Sequence, residues 1–144
     1  MEFNPLIPEF KVQDIKKSLE FYVFLLNFKI EYDRPEEHFA FLSYQGSQIM
    51  IEQFWFSGDW ITGQLEPPFG RGINFQIKTD DLESLLSPLR RVQYPLFAEP
   101  HEKWYREGDM FNGNRQFLVQ DPDGYLLRFY QDLGQKPLST PSSS

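Results

Sequence analysis

The feature that most constrains the fold is a pattern of strands and helix that occurs twice along the chain. Each occurrence predicts a strand, a helix and three more strands, and an aspartate, Asp14 or Asp81, precedes each helix. An aspartate at this position accepts hydrogen bonds from the free N–H groups of the first turn, and its charge suits the helix dipole. Because a repeated unit dictates architecture more firmly than a single motif, we predict an α+β domain of two tandem βαβββ modules.

The expected boundaries follow from the periodicity and the turn signals. The predicted strands are, in chain order, 6–12, 28–32, 39–44, 48–54, 72–79, 96–98 and the two arms of a hairpin at 114–132. The predicted helices are 14–27 and 81–91, and the predicted loops are 55–71 and 100–113. The modules therefore span about 4–56 and 71–132 within a domain at 1–133, and the Ser/Pro-rich residues 134–144 are expected to form a flexible tail.

The closing hairpin carries the clearest turn signal in the chain, Asp121-Pro122-Asp123-Gly124, here named the DPDG turn. Proline presets φ near −65° at the second position of a turn, aspartates bond nearby N–H groups, and glycine accepts a positive φ. Leu127 and Phe129 share one side of the strand after the turn, whereas Arg128 lies on the other. Arg128 is therefore a charge aimed at a pocket or at solvent.

Alternation along the strands predicts that each sheet has two unlike faces. The face expected to pack against the helix is apolar, and its residues are Phe10, Val12, Ile49, Ile51, Ile73, Phe75, Leu127 and Phe129. The opposite face is mixed, and its residues are Ile7, Glu9, Met50, Glu52, Asn74, Gln76, Leu126 and Arg128. Two such mixed faces brought together would enclose a cleft with a few directed polar groups, the usual composition of a ligand site.

Charge and composition exclude several classes of function. The net charge of −7 argues against a nucleic-acid partner, because binding of nucleic acid depends on cationic patches, but it is compatible with a cationic small molecule. No stretch approaches the roughly 20 apolar residues of a membrane helix, so no membrane partner is expected. With no signal peptide at its start, the protein is expected in the cytoplasm. The absence of cysteine excludes disulfides and thiolate metal sites.

The double βαβββ pattern, the helix start D-I-K-K-S-L-E-F-Y at 14–22 and DPDG-Y-L-L-R-F at 121–129 resemble the vicinal oxygen chelate superfamily, of glyoxalase and bleomycin-resistance type. Within it, Trp104-Tyr105 and Arg115-Gln116-Phe117 resemble the W-x-x-REF stretch of the drug-binding, metal-free branch, here separated by an insertion at 106–114. The resemblance implies a curved mixed sheet with helices on its outer face. It also implies a homodimer with the ligand cleft at its interface, often with the first strand exchanged.

Metalloenzymes of this superfamily take His and Glu ligands from the first, fourth, fifth and eighth strands. Counting from the helix starts and from the DPDG turn places Ile7, Glu52, Asn74 and Arg128 at these positions. Only Glu52 is a good ligand, and a guanidinium donates hydrogen bonds but cannot coordinate a cation. We therefore predict no catalytic metal and no cofactor, with a Glu52–Arg128 ion pair across the cleft instead.

No nucleophile and base are recognisable as a pair, so no catalytic residue is predicted. The expected ligand-binding residues are Glu52, Phe54, Trp55, Trp60, Asn74, Trp104, Phe111, Arg115 and Arg128. Three functions remain open. The first is a protein that sequesters bleomycin-type glycopeptides or a similar cationic aromatic compound without chemistry. The others are a metal-dependent lyase, isomerase or dioxygenase of the superfamily, and a binding protein for an unrelated metabolite on the same fold.

Overall fold

A computed structural model of the protein describes residues 1–54 and 60–138. The strands are β1 (Glu9–Val12), β2 (Lys29–Arg34), β3 (Phe39–Tyr44), β4 (Ser47–Gln53), β5 (Asn74–Lys78), β6 (Ala98–Glu107), β7 (Met110–Gln120) and β8 (Leu126–Pro137). The helices are α1 (Ile15–Leu19), which continues as a π-helix (Glu20–Leu25), a 3-10 turn (Pro35–Glu37) and α2 (Leu82–Arg91).

The strands form two sheets with the same topology. The first sheet has the order β1-β4-β3-β2, and the second has the order β5-β8-β7-β6. In both, the first strand of the module pairs in parallel with the last, and the other pairs are antiparallel. The sheets are curved but not closed. The predicted α+β fold of tandem βαβββ modules is confirmed.

Both helices begin as the sequence predicts. The carboxylate of Asp14 accepts from the N–H of Lys16 at 3.0 Å, and that of Asp81 accepts from Glu83 at 3.1 Å. Pro88 lies inside α2, which nevertheless runs on to Arg91. None of the helices among the described residues is long and apolar enough to cross a lipid bilayer.

The helix-facing sides of the two sheets share one hydrophobic core. It joins Phe10, Val12 and Ile51 of the first module to Leu127 and Phe129 of the second, all of them buried. Two expected members differ. Ile73 is 50% exposed because β5 begins only at the next residue, and Phe75 is partly buried. Because the helix-facing sides meet in this core, the opposite side of each sheet, here named its open face, points away from it.

The DPDG turn joins the two modules. The Tyr22 hydroxyl donates to Asp121 Oδ2 at 2.7 Å, and the Gln13 N–H donates to Asp123 Oδ1 at 2.9 Å. The ring of Tyr125 stacks on Phe10, with 4.4 Å between centroids. A turn that the sequence marks as a simple reversal is therefore bonded to the module at the other end of the chain.

The region predicted as a loop at 100–113 is instead a long hairpin. Strands β6 and β7 pair from Ala98 to Leu118, and a two-residue turn, Gly108-Asp109, connects them. Strand β8 pairs with β7 as far as Pro137, so the strand includes the first residues of the expected tail at 134–144. The pairing gives these backbone groups hydrogen-bond partners that an extended loop would lack. Residues 139–144 lie outside the described part.

The first prediction concerns Asp121, where burial, reinforced by the charge of Asp123, raises the carboxyl pKa from 3.8 to about 6 despite the bond from Tyr22. Between these values the folded state holds the proton more tightly than the unfolded state, so the contribution of Asp121 to the free energy of unfolding falls as pH rises. Asp121→Asn preserves the shape but cannot titrate. We expect the wild-type free energy of unfolding, minus that of the variant, to fall by roughly 2–3 kcal/mol between pH 4 and 7.

Urea denaturation at half-unit pH steps measures this difference. The control is Asp33→Asn, which changes an exposed aspartate on β2. For this variant, the difference from the wild-type free energy of unfolding should show no comparable fall between pH 4 and 7. A flat profile for Asp121→Asn would contradict the proposed cost of ionising this side chain.

The second prediction concerns Gly113 in the hairpin. A Cβ atom at this residue would collide with the ring of Trp104, whereas one at Gly63 would meet no atom within 4 Å. Because overpacking forces rings out of their rotamers, Gly113→Ala should lower the free energy of unfolding by about 1–3 kcal/mol. Gly63→Ala should change it by no more than about 0.5 kcal/mol. Urea denaturation of both variants tests this, and equal effects would contradict it.

Candidate functional site

The open face of the second sheet carries a pocket of about 560 Å³. Every residue that lines it carries a polar side-chain group, and these residues are Gln76, Tyr105, Asn112, Asn114, Arg128, Tyr130, Asp132 and Gln135. These side chains come from all four strands of one sheet. Alternation along the strands, together with a register shift in β8 between Asp132 and Gln135, places them on the same side. The resulting surface offers hydrogen-bond donors, acceptors and two phenol rings to a small molecule.

Strand register brings the pocket residues together. Gln76 of β5 lies opposite Arg128 of β8, and Asn112 of β7 lies opposite both Tyr105 of β6 and Gln135 of β8. Pairs directly opposite each other on one face stand close enough for their side chains to interact. The pocket is therefore fixed by backbone pairing rather than by a loop.

Arg128 is the central cation of this pocket. Its Nη2 donates to Gln76 Oε1 at 2.8 Å, whereas its Nε is buried and has no hydrogen-bond partner among the described residues. The predicted Glu52–Arg128 ion pair is wrong within the chain. Glu52 lies in the other sheet beside Lys11, its register partner on β1, and pairs with that residue instead.

Lys11 holds two carboxylates on the open face of the first sheet. Its Nζ lies 2.5 Å from Glu52 Oε1 and 2.9 Å from Glu9 Oε1. Burial pulls the pKa of Lys11 down, but the bonds and charges of Glu52 and Glu9 outweigh burial and raise it. Lys11 therefore stays protonated at neutral pH.

The residues present do not fit the divalent metal that the superfamily's enzymes hold. A metal cation needs several anionic or imidazole donors converging on one point. Here the Lys11 ammonium pairs with both carboxylates on the open face of the first sheet. Arg128, on the second sheet, occupies the position expected for the ligand from the eighth strand. Among residues 1–54 and 60–138, no group of three or more His, Asp or Glu side chains is placed to share an ion.

The remaining expected residues fall in three places. Asn74 lies on the open face of the second sheet, two residues before Gln76 on β5. Trp60 is 88% exposed beside the first sheet, where Lys11 Nζ lies 5.9 Å from the centre of its ring. Phe54 packs edge-on against Phe69, with 6.0 Å between centroids. Trp55 lies outside the described residues.

Three expected residues lie on the opposite face of the second sheet and do not join the pocket. Arg115 Nη2 lies 3.1 Å from Glu83 Oε1 on α2, which places this arginine on the helix side. Trp104 and Phe111 lie on the same side of the sheet as Arg115. Lys136 Nζ lies 4.0 Å from the centre of the Trp104 ring. An interpretation of this stretch as a loop does not assign a side to each residue, whereas the alternation of a strand does.

Sequence reasoning missed most of the pocket, although a signal was present. Gly108-Asp109 between two alternating runs is a recognised hairpin signal, and it would have placed Tyr105 and Asn112 on one face. The same signal would have placed His101 and Gln116 on that face, where the structure shows a chain of polar contacts. Gln116 Nε2 lies 3.0 Å from the Tyr105 hydroxyl and 3.1 Å from His101 Nε2.

A second cavity, of about 640 Å³, lies beside the DPDG turn and is lined largely by prolines and by the turn itself. Its carboxylates, Asp121 and Asp123, bond towards the first module. The smaller pocket is the better candidate for ligand binding because its polar side chains point into open space.

A family model described as the glyoxalase/bleomycin resistance protein/dioxygenase superfamily matches residues 9–129. A comparison with curated proteins gave no significant match. A solved member of that superfamily from Vibrio splendidus 12B01 is 34% identical, over 87% of this chain and 95% of its own, with a TM-score of 0.41.

Two further structures share the fold at low identity. TioX from Micromonospora sp. ML1 is 16% identical, over 91% of this chain and 100% of its own, with a TM-score of 0.67. TnmS3, an antibiotic binding protein from Streptomyces sp. CB03234, is 18% identical, over 92% and 98%, with a TM-score of 0.56. Because the family model covers most of the chain, this protein belongs to the glyoxalase/bleomycin resistance protein/dioxygenase superfamily.

Proposed function

We propose that the protein sequesters a bleomycin-type glycopeptide, or a similar cationic aromatic compound, and releases it chemically unchanged. The observation that carries this proposal is the pocket on the open face of the second sheet. Its volume of about 560 Å³ suits a drug-sized guest, and its side chains are amides, phenols, one arginine and one aspartate. Such groups orient a ligand through hydrogen bonds and ring contacts.

The chemistry of the lining supports binding rather than turnover. None of the eight pocket residues is a serine, cysteine or histidine, the groups that most often act as nucleophile or general base. Tyr105 and Tyr130 instead offer ring faces, on which a flat heteroaromatic or a cation is stabilised by about 0.5–2 kcal/mol per contact. Asp132 supplies a carboxylate for the positive part of the guest.

The two cations on the open faces also support this proposal. Lys11 pairs with both Glu9 and Glu52, and Arg128 stands at a position from which the superfamily's metalloenzymes take a His or Glu ligand. TnmS3, which shares the fold, is described as an antibiotic binding protein. Binding of an antibiotic-like guest is thus compatible with this fold, while the residues of this chain argue for a site without a metal.

We further propose that two copies of the chain close the site. One chain supplies a pocket with a single wall, since its two open faces point away from a common core. Large apolar side chains remain exposed at or near the first sheet, with Phe3 at 55%, Leu6 at 84% and Trp60 at 88%. A second copy that placed this surface over the pocket would bury them and complete a ligand cleft.

The third prediction tests the binding function by titration calorimetry. Bleomycin and related glycopeptides, titrated into protein treated with EDTA, should bind saturably, and mass spectrometry should recover them unchanged. Tyr130→Ala should weaken binding by about 3-fold to 30-fold, because it removes one ring contact. Phe24→Ala, which removes an exposed ring from the first helix, should leave the affinity unchanged.

Two results would count against this function. Absence of saturable binding across the glycopeptides would favour an unrelated metabolite as the guest. Conversion of a guest that depends on added zinc, nickel, iron or manganese would favour a metal-dependent enzyme of the superfamily. Analytical ultracentrifugation tests the dimer, and a monomer at the concentrations used for titration would contradict it.

A further inference from the structure

We infer that Arg128 forms an anion-binding subsite, so that the pocket selects an aromatic guest carrying one acidic group, such as a carboxylate or sulfonate. The inference rests on the proposed binding of a small molecule at the open face of the second sheet. It adds the requirement of an acidic group, which does not follow from the positive charge of bleomycin-type compounds. A guest that met both requirements would be zwitterionic.

Arg128 differs from several other arginines of the described residues in having no counter-ion among them. Arg115 pairs with Glu83 at 3.1 Å, and Arg34 pairs with Glu37 at 2.5 Å. Arg128 has one neutral partner, Gln76, and no carboxylate within ion-pair distance among the described residues. A partly enclosed guanidinium without a carboxylate is suited to receive one from a ligand, because it donates in a planar fork that matches two oxygens.

Other hydrogen-bond donors line the same pocket as Arg128. Tyr130 follows it by two residues on the same strand face, and Asn114 lies opposite Asp132 on β7. Within the described part of the chain, neither the Tyr130 hydroxyl nor the Asn114 amide has a side-chain hydrogen-bond partner. Arg128, Tyr130 and Asn114 therefore offer hydrogen-bond donors to one pocket. Among the described residues, the only side-chain acceptor that these donors meet is Gln76, which is bonded to Arg128.

The negative charge of the protein limits the charge of the guest. The protein carries a net charge of −7, and Asp132 lines the same pocket four residues beyond Arg128. Several negative charges on one ligand would be repelled by this field, whereas one acidic group beside the guanidinium would be stabilised. Nucleotide polyphosphates are therefore disfavoured, and aromatic monoacids or zwitterions are favoured.

The fourth prediction uses two fluorescent probes that differ by one acidic group. The probe 8-anilino-1-naphthalenesulfonate is anionic, and N-phenyl-1-naphthylamine is the same ring system without the sulfonate. In fluorescence titrations, Arg128→Gln should weaken binding of the sulfonate by about 10-fold to 100-fold, the usual effect of losing a hydrogen bond to a charged group. Binding of the neutral probe should change by no more than about 3-fold.

A matched control is available on the opposite face of the same sheet. Arg115→Gln makes the same change of charge but lies on the helix side, so it should leave the affinity for both probes unchanged. Arg128→Lys keeps the cation and should retain sulfonate binding within about 10-fold of the wild type. Circular dichroism and thermal unfolding confirm that each variant is folded, and Arg128→Lys decides the question if Arg128→Gln does not fold.

The inference is overturned if Arg128→Gln binds the sulfonate like the wild type, or if Arg115→Gln weakens it equally. It is also overturned if both probes weaken together in the Arg128 variants. Bleomycin titrated into the same proteins separates this inference from the proposed function. A selective loss of sulfonate binding, with no bleomycin binding, would support the subsite and reject the glycopeptide. Saturable bleomycin binding, with sulfonate binding that does not depend on Arg128, would support the proposed function and reject the subsite.

Discussion

The contact between the DPDG turn and the first module is the interaction on which the rest of the structure depends. Buried carboxylates of the last hairpin accept hydrogen bonds from Tyr22 and from the backbone of Gln13, and Tyr125 stacks on Phe10. These bonds hold the helix-facing sides of both sheets against one core. Because hydrogen bonds offset part of the cost of burying a carboxylate, the bonds from Tyr22 and Gln13 help to fix the turn against the first module.

One consequence is that both open faces lie outside the shared core. Phe39 and Phe41 are buried on the open face of the first sheet, but other side chains on the two open faces are polar. On the first sheet they include Lys11 and its two carboxylates. On the second sheet they include Arg128 and its neighbours in the pocket. Within residues 1–54 and 60–138, the pocket on the second sheet has no opposite wall.

Much of the fold follows from local sequence. The two aspartates that start the helices, the alternation along the strands and the DPDG turn act within a few residues, and the structure confirms what they predict. The candidate site was harder to predict. Arg128 was correctly placed on the open face, but the partner of Glu52 and the side occupied by Arg115 depend on which strand and helix pack beside them. Such neighbours are distant in sequence.

The sequence by itself thus determined the repeat, the helix starts, the core side of β1, β4, β5 and β8, and the presence of an arginine on the other side of β8. Tertiary structure alone decided that Lys11 pairs with Glu52, that Arg115 lies beside α2, and that Arg128 has no carboxylate partner among the described residues. The physical reason is range. Backbone preference and alternation are properties of adjacent residues, whereas the partner of a charge is set by packing between segments far apart in the chain.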